Sequence, residues 1–176
     1  MQALAYWKSV AMDQANFPES LTTLLHEHGI RYCVIGGQGV NAYAEPLVSL
    51  DLELVVALDE LPDVEKLLST QYQVESFPHS LNLTSADSRV RVQLQTDPRY
   101  ADFPSRATVR EVLGLRMPVA RIEDVLDGKV WAALDSARRT SKRRKDLLDI
   151  ERLLEGHPEL RARVPAEILK RLDSFQ

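Results

Sequence analysis

Two short runs carry residue types that can do chemistry. Gly36-Gly37-Gln38-Gly39 follows the apolar run Ile30 to Ile35, and Asp51 and Glu53 open a second apolar run that reaches Leu58. Glycines after a strand let the backbone turn sharply and approach a ligand with no Cβ in the way, and a helix start beyond them offers free N–H groups to an anion. The run is not a P-loop, because no GK[ST] ends it, and GGQGVN lacks the last glycine of the dinucleotide fingerprint. A tight strand-to-helix turn with no ligand reads the same way. Asp51 and Glu53, two apart on a strand, project to one face. Carboxylates that close repel each other unless something neutralises them. Exposure at the strand end is one solution. A divalent cation is the other, since Mg²⁺ takes one or two carboxylates together with substrate phosphates.

Further along, Ser88 to Thr96 (SRVRVQLQT) alternates strictly, with Val90, Val92 and Leu94 on one face and Arg91, Gln93 and Gln95 on the other. The polar face holds no acid. Arg138-Arg139-Thr140-Ser141-Lys142-Arg143-Arg144-Lys145 is the one dense basic run. Its first cations suit the C-terminus of a preceding helix, whereas Lys142 to Lys145 begin the next helix, where cations oppose the dipole. That favours a phosphate-binding patch for triphosphate or RNA over a merely solvated helix end. No aromatic residues interleave, so base stacking is not supported. His26-Glu27-His28 is not H-E-x-x-H and reads as a surface pair. Trp7 and Trp131 read as core.

These residues must be held by elements. The sequence predicts a helix over 1–15, a break at Phe17-Pro18-Glu19-Ser20, a helix from an N-cap at Ser20 to His28, and a strand from Ile30 to Ile35. A short segment, Val40 to Tyr43, follows the glycines. Leu52 to Leu58 suits a strand buried on both faces. Then come a helix over Leu61 to Thr70, strands over Tyr72 to Phe77, Ser80 to Thr84 and Ser88 to Thr96, and two extended pieces around Gly114. Helices over Ile122 to Arg138, Ser141 to Leu154 and Pro165 to Leu172 close the chain. The expected fold is α/β (α+β): a small mixed sheet with flanking helices in residues 1–120, then a helical region, 121–176.

The chain has 176 residues, 44% hydrophobic and 27% charged, with a net charge of −4. These values suit a globular protein and do not by themselves point to nucleic acid. Cys33, the single cysteine, excludes an internal disulfide and reads as a buried, inert thiol. No apolar run approaches the ~18 residues of a membrane span, and the N-terminus shows no secretory pattern. The cytoplasm is the expected compartment, which makes the sequon at Asn82 a chance match.

Glycine turn, thirteen residues from Gln38 to Leu50, then Asp-x-Glu opening an apolar strand is a specific arrangement. It resembles the polymerase-beta-like nucleotidyltransferase superfamily, in which a Gly-Gly or Gly-Ser turn precedes Asp-x-Asp or Asp-x-Glu at about this spacing. PLVSLDLELVV is similar to the family element Pro-x-x-Thr-x-Asp-x-Asp-apolar, with Ser49 in the threonine place. RIEDVLDGKVWAA and RRKDLLDIERLL resemble two helical motifs of AbiEii-type nucleotidyltransferases, which include toxins of type IV toxin–antitoxin systems. The resemblance spans about residues 30–155. It implies that Gly36, Gly37 and Ser49 hold nucleotide phosphates and that Asp51 and Glu53 bind Mg²⁺ or Mn²⁺ and carry catalysis. It also implies that Lys129 reaches phosphate, that Lys145 and Asp146 close the site, and that Asp149 braces it.

The implied reaction moves a nucleoside monophosphate from NTP to a hydroxyl of RNA (tRNA) or of a protein, with an antitoxin as partner. Two residues depart from the pattern: Gln93 stands at the third-acid position, and Leu47 where many relatives carry arginine. The alternative reading is therefore a catalytically degenerate nucleotide-binding or protein-interaction module of the same fold.

Overall fold

The computed structural model describes residues 12–14, 16–57, 59 and 61–174. Of the helix expected over 1–15, residues 12–14 are described and are not helical, and the rest, with Trp7, lies outside the described residues. One seven-stranded mixed sheet organises the chain, in the order β3-β4-β5-β2-β1-β7-β6. Its strands are β1 (Tyr32–Ile35), β2 (Asp51–Val56), β3 (Gln73–Phe77), β4 (Ser80–Thr84), β5 (Arg91–Gln95), β6 (Thr108–Val112) and β7 (Leu115–Val119). The central pair, β1 and β2, is antiparallel; β2 pairs with β5 and β1 with β7 in parallel. The helices are α1 (Phe17–Glu27), α2 (Gly36–Asn41), α3 (Leu61–Leu68), α4 (Phe103–Arg106), α5 (Ile122–Leu134), α6 (Thr140–Gly156) and α7 (Ala166–Asp173). The mixed α/β architecture matches the expectation.

Strand alternation sorts the side chains into two cores. Leu52, Leu54 and Val56 of β2 join Val92 and Leu94 of β5 and Val34 of β1 under α1 and α3. Cys33, Ile35 and Val55 point to the opposite face, where they meet Val125, Leu126 and Val130 of α5 and Leu147, Ile150 and Leu153 of α6. Asp51 and Glu53 share this second face with Val55, because residues two apart on a strand stand on one side. The α5–α7 layer covers the second face over β1 and β2. Beyond β2 the face is polar, and Gln73, Glu75, Thr84 and Arg91 on it are exposed.

Four local readings are corrected. The first described helix begins at Phe17, with Asn16 as its N-cap, and Ser20 lies within it. Phe17-Pro18 is its first turn rather than a break, since Pro lacks only an N–H that the first turn leaves unused. The Asp13 carboxylate accepts from the Phe17 N–H at 3.1 Å. The glycines are themselves the first turn of α2, so the helix starts four residues before the segment expected at Val40. β5 is shorter than 88–96, because Ser88 Oγ turns back to accept from the Val90 N–H and Asp97 caps a 3₁₀ turn over Pro98–Tyr100. Finally, α5 stops at Leu134, with Asp135 extended beyond it.

Candidate functional site

A cavity of about 250 Å³ lies between the second sheet face and α5 and α6. Its floor includes Gly36, Asp51, Glu53, Gln93 and Gln95, and its wall includes Asp124, Lys129, Arg138, Lys142 and Asp146. The parallel register sets the floor: Asp51 lies beside Arg91, and Glu53 beside Gln93. Gln93 is in turn beside Asn82 of β4, and Asn82 beside Glu75 of β3. One row, Glu53-Gln93-Asn82-Glu75, therefore crosses four strands on the open face. A second cavity of about 290 Å³ follows it, lined by Glu75, Asn82, Thr84 and Arg91, and shares Asp51, Gln93 and Lys142 with the first.

The glycine turn belongs to this floor. Gly36 has φ 63°, the left-handed region that favours glycine. A Cβ there would stand 2.4 Å from Glu53 Cδ, so the residue must be glycine for the carboxylate to keep its place. A Cβ on Gly37 would lie 3.7 Å from Ser49 Oγ and 4.0 Å from Lys145 Nζ. The structure thus brings Gly37, Ser49 and Lys145 to one point beside the acids. Side chains of α2 hold the connecting loop. Buried Gln38 donates to the Ser49 carbonyl at 3.1 Å, and Asn41 exchanges hydrogen bonds with the Leu47 backbone at 2.7 and 3.0 Å. Leu47 is exposed, and its backbone makes these bonds.

The wall is a buried ion network. Lys129, 6% exposed, pairs with Asp146 at 3.2 Å and with Asp149 at 2.7 Å. Arg138 Nε donates to Asp146 at 2.7 Å, and Arg152 Nη1 to Asp149 at 2.8 Å. Arg152 also donates to Asn41 Oδ1 at 2.9 Å and to the Glu45 carbonyl, which ties α6 to the loop before Asp51. Burial by itself would depress the Lys129 pKa. The carboxylates of Glu53, Asp149 and Asp146 outweigh it and hold the ammonium above the ordinary lysine value. Lys129 was expected at phosphate; its nitrogen is engaged by two carboxylates of α6. Lys145, its companion in that expectation, is exposed beside the glycine turn.

Several residues here were not anticipated. Asp124, in the motif that begins α5, is buried and gripped by Arg106 at 2.9 and 3.1 Å. Tyr100 reaches over Gly128, where a Cβ would come within 3.2 Å of the ring, and burial followed by the charge of Glu53 pushes its phenol up to about 12. Arg91 Nη2 lies 2.8 Å from Asp51 Oδ1. The acid in a first helical turn was a visible signal for Asp124. The Arg91 pairing depends on which strand lies next to β2, which no local pattern states. Cys33 is buried, and burial followed by the charge of Asp124 raises its thiol to about 12, in line with an inert role. His26 and His28 are exposed, and Trp131 is half-buried against Tyr100 and Phe103.

The donor set fits a hard divalent cation. Asp51 and Glu53 offer carboxylate oxygens, the neighbouring Gln93 an amide oxygen, and among the described residues no sulfur or imidazole lines the cavity. Among the described residues no group of three or more His, Cys, Asp or Glu side chains could hold a metal ion. No described helix is long and apolar enough to cross a membrane.

The profile of the family described as "Nucleotidyl transferase AbiEii toxin, Type IV TA system" matches residues 48–175, from just before Asp51 through α7. Solved structures share the fold at low identity. The antibiotic-resistance factor ANT(2″)-Ia superposes with a TM-score of 0.58 at 12% identity, covering 93% of this chain and 98% of that one. The lincosamide antibiotic adenylyltransferase LnuA, bound to lincomycin, gives 0.53 at 12% identity, with 80% and 98% covered. An antigenic nucleotidyltransferase-like protein from Paracoccidioides brasiliensis gives 0.51 at 18% identity, with 85% and 75% covered. No curated protein matches the sequence.

Proposed function

The chain belongs to the AbiEii family of nucleotidyl transferase toxins of type IV toxin–antitoxin systems, and from that premise we propose that it transfers a nucleoside monophosphate from NTP to a hydroxyl. One observation carries the reading: Asp51 and Glu53 line a cavity together with Gly36, and the next residue, Gly37, comes together with Ser49 and Lys145. Lys145, with Lys142 on the cavity wall, supplies charge for the triphosphate, and Gly36 and Gly37 leave room for it beside Glu53. Asp51, Glu53 and Gln93 would hold Mg²⁺ or Mn²⁺, which when bound neutralises phosphate charge and stabilises the attacking and leaving oxygens.

With the phosphate cradle next to β1 and the acids on β2, in-line attack puts the acceptor on the other side of the acids, over β5, β4 and β3. The second cavity lies there. The acceptor oxygen bonds to the α-phosphorus, the bond to pyrophosphate breaks, and pyrophosphate departs. Gln93 can orient the hydroxyl by a hydrogen bond, but an amide does not take its proton, which passes to solvent through the open groove. Lys129, Asp146 and Asp149 position α6, and through Arg152 and Asn41 the loop before Asp51. The acceptor is an RNA, tRNA among the candidates, or a protein, the partner is an antitoxin, and the reaction is cytoplasmic.

The test is label transfer from each α-labelled NTP to RNA and protein acceptors with Mg²⁺ or Mn²⁺. Asp51→Asn is expected to lower the rate by about 10³-fold or more while leaving thermal unfolding little changed. Equal labelling by wild type and variant would sink the reading. The Arg91–Asp51 ion pair favours the second reading, a nucleotide-binding module without catalysis. That reading predicts nucleotide binding, little affected by metal, with no transfer under any of these conditions.

A further inference from the structure

We propose that Arg91 is the resident counter-ion of the site: it pairs with Asp51 when no nucleotide is bound, and so makes capture of a divalent cation depend on the triphosphate that brings it. The inference rests on the transferase reading above and concerns how that site is loaded.

The β2–β5 register places the two residues side by side, and Arg91 Nη2 lies 2.8 Å from Asp51 Oδ1. The pairing is therefore built into the sheet. Next to it Glu53 faces an amide, Gln93, where a third carboxylate would add charge. Two carboxylates and one guanidinium leave the floor with a single net negative charge. That is little to strip a hydrated divalent cation of its waters, and Mg²⁺ in particular dehydrates reluctantly.

The same ion pair is easy to exchange. The Arg91 side chain is 68% exposed and that of Asp51 26%, and solvent-exposed pairs contribute little net stability. A cation already chelated by a triphosphate changes the balance twice. It carries most of its ligands with it, and it offers the guanidinium a phosphate oxygen in place of Asp51. Arg91 then turns from one anion to the other and frees the carboxylate oxygen. Lys142 lines both cavities and so stands near the same charge. Arg138 is committed to Asp146.

The consequence is an order of binding. Metal alone sees a half-neutralised floor, and the metal–nucleotide complex sees two carboxylates. A unit charge a few ångströms from a divalent ion at a wet surface changes its affinity by about tenfold.

The experiment uses the intact chain and two readouts, neither of them activity. Mn²⁺ alone is titrated and followed by electron paramagnetic resonance for wild type, Arg91→Gln and Arg91→Lys. Calorimetry then measures the binding of the four α,β-methylene NTPs as their Mn²⁺ complexes. Arg91→Gln is expected to bind Mn²⁺ alone about tenfold more tightly than wild type, and Arg91→Lys to stay near wild type. For the Mn²⁺–nucleotide complexes the gain shrinks to less than about threefold, because the displaced charge now meets phosphate. Equal Mn²⁺ affinity in wild type and Arg91→Gln overturns the proposal, and so does Arg91→Lys behaving like Arg91→Gln. Both outcomes leave the transferase reading standing as long as the Mn²⁺–nucleotide complexes bind. Failure of every variant to bind Mn²⁺ in either form removes the transferase reading and this inference with it.

Discussion

The wall and the floor of the cavity hold the same kinds of charge and treat them in opposite ways. On the wall, Lys129, Asp146 and Asp149 are almost fully buried, and each has protein partners from two directions. On the floor, Asp51 and Glu53 are half-buried, and Asp51 has one exposed arginine beside it. A buried charge with every partner in place has little left to offer a ligand, and removing one partner strands the rest. A half-buried carboxylate with a mobile counter-ion is available for exchange. The wall is accordingly expected to govern whether the site stands, and the floor what it binds, although the acids of both appear in the sequence as short motifs.

Lys129→Met is the strongest way to break this division. Removing the ammonium leaves Asp146 and Asp149 buried with only Arg138 and Arg152, and the expected loss is about 3–5 kcal/mol of unfolding free energy, read by urea titration. The sign with pH follows from the raised Lys129 pKa. Its charged form is favoured in the fold, so the contribution is full below the ordinary lysine value of about 10.5 and fades as pH rises through the higher folded value. The gap between wild type and Lys129→Met should be flat from neutral pH to about 10 and close beyond it. A variant that stays stable at neutral pH yet loses nucleotide binding would place Lys129 on the floor's side of the comparison, at the phosphates.

Gly36→Ala probes the floor with a smaller effect. The left-handed φ costs a residue with a Cβ about 1–2 kcal/mol, and the methyl would displace the Glu53 carboxyl group, since a Cβ there stands 2.4 Å from its carbon. Glu53 can swing aside, so the stability cost stays modest while Mn²⁺–nucleotide affinity falls more steeply. Unfolding curves and calorimetry on one preparation separate the two. A large stability loss with intact affinity would show that the turn serves the scaffold alone.

The sequence made the sides of this comparison visible to different degrees. Strand alternation put Asp51 and Glu53 on one face, and put Arg91 and Gln93 opposite the core residues of β5, because a period of two is local information. The three C-terminal helices were legible from local signals too: an apolar stripe in the first, Gly156 at the end of the second and Pro165 at the start of the third. The cations at Lys142 and Lys145 were visible as charges working against a helix dipole, and the fold sets one on the cavity wall and the other beside Gly37. What stayed hidden depends on non-local neighbours. That Arg91 faces Asp51, that Asn82 and Glu75 extend the row from Gln93, and that Arg106 grips Asp124 all follow from sheet order and helix docking. The family resemblance named Lys129 but not its burial, since which face of α5 meets Asp146 and Asp149 is settled only when α6 packs. The N-cap expected at Ser20 fails for a local reason: Pro18 fits either a break or the first turn of a helix, and the chain takes the second.

Gln93→Glu gives the smallest effect and the finest test of the floor. It places a carboxylate directly beside Glu53 in the β2–β5 register, where the family resemblance expects a third acid, with little change in side-chain size. Like charges facing each other across strands are destabilising by a fraction of a kcal/mol, about 0.5–1 at most, so the metal-free variant should unfold slightly below wild type. Mn²⁺ should reverse the order, because the added carboxylate becomes a ligand and the bound ion stabilises the folded state in proportion to its affinity. Wild type, with Arg91 and an amide on its floor, should shift little under the same Mn²⁺ concentration. The measurement is thermal unfolding of both proteins with and without Mn²⁺. If Gln93→Glu matches wild type in both conditions, Gln93 does not share an ion site with Glu53, and the floor reduces to Asp51, Glu53 and the cation that balances them.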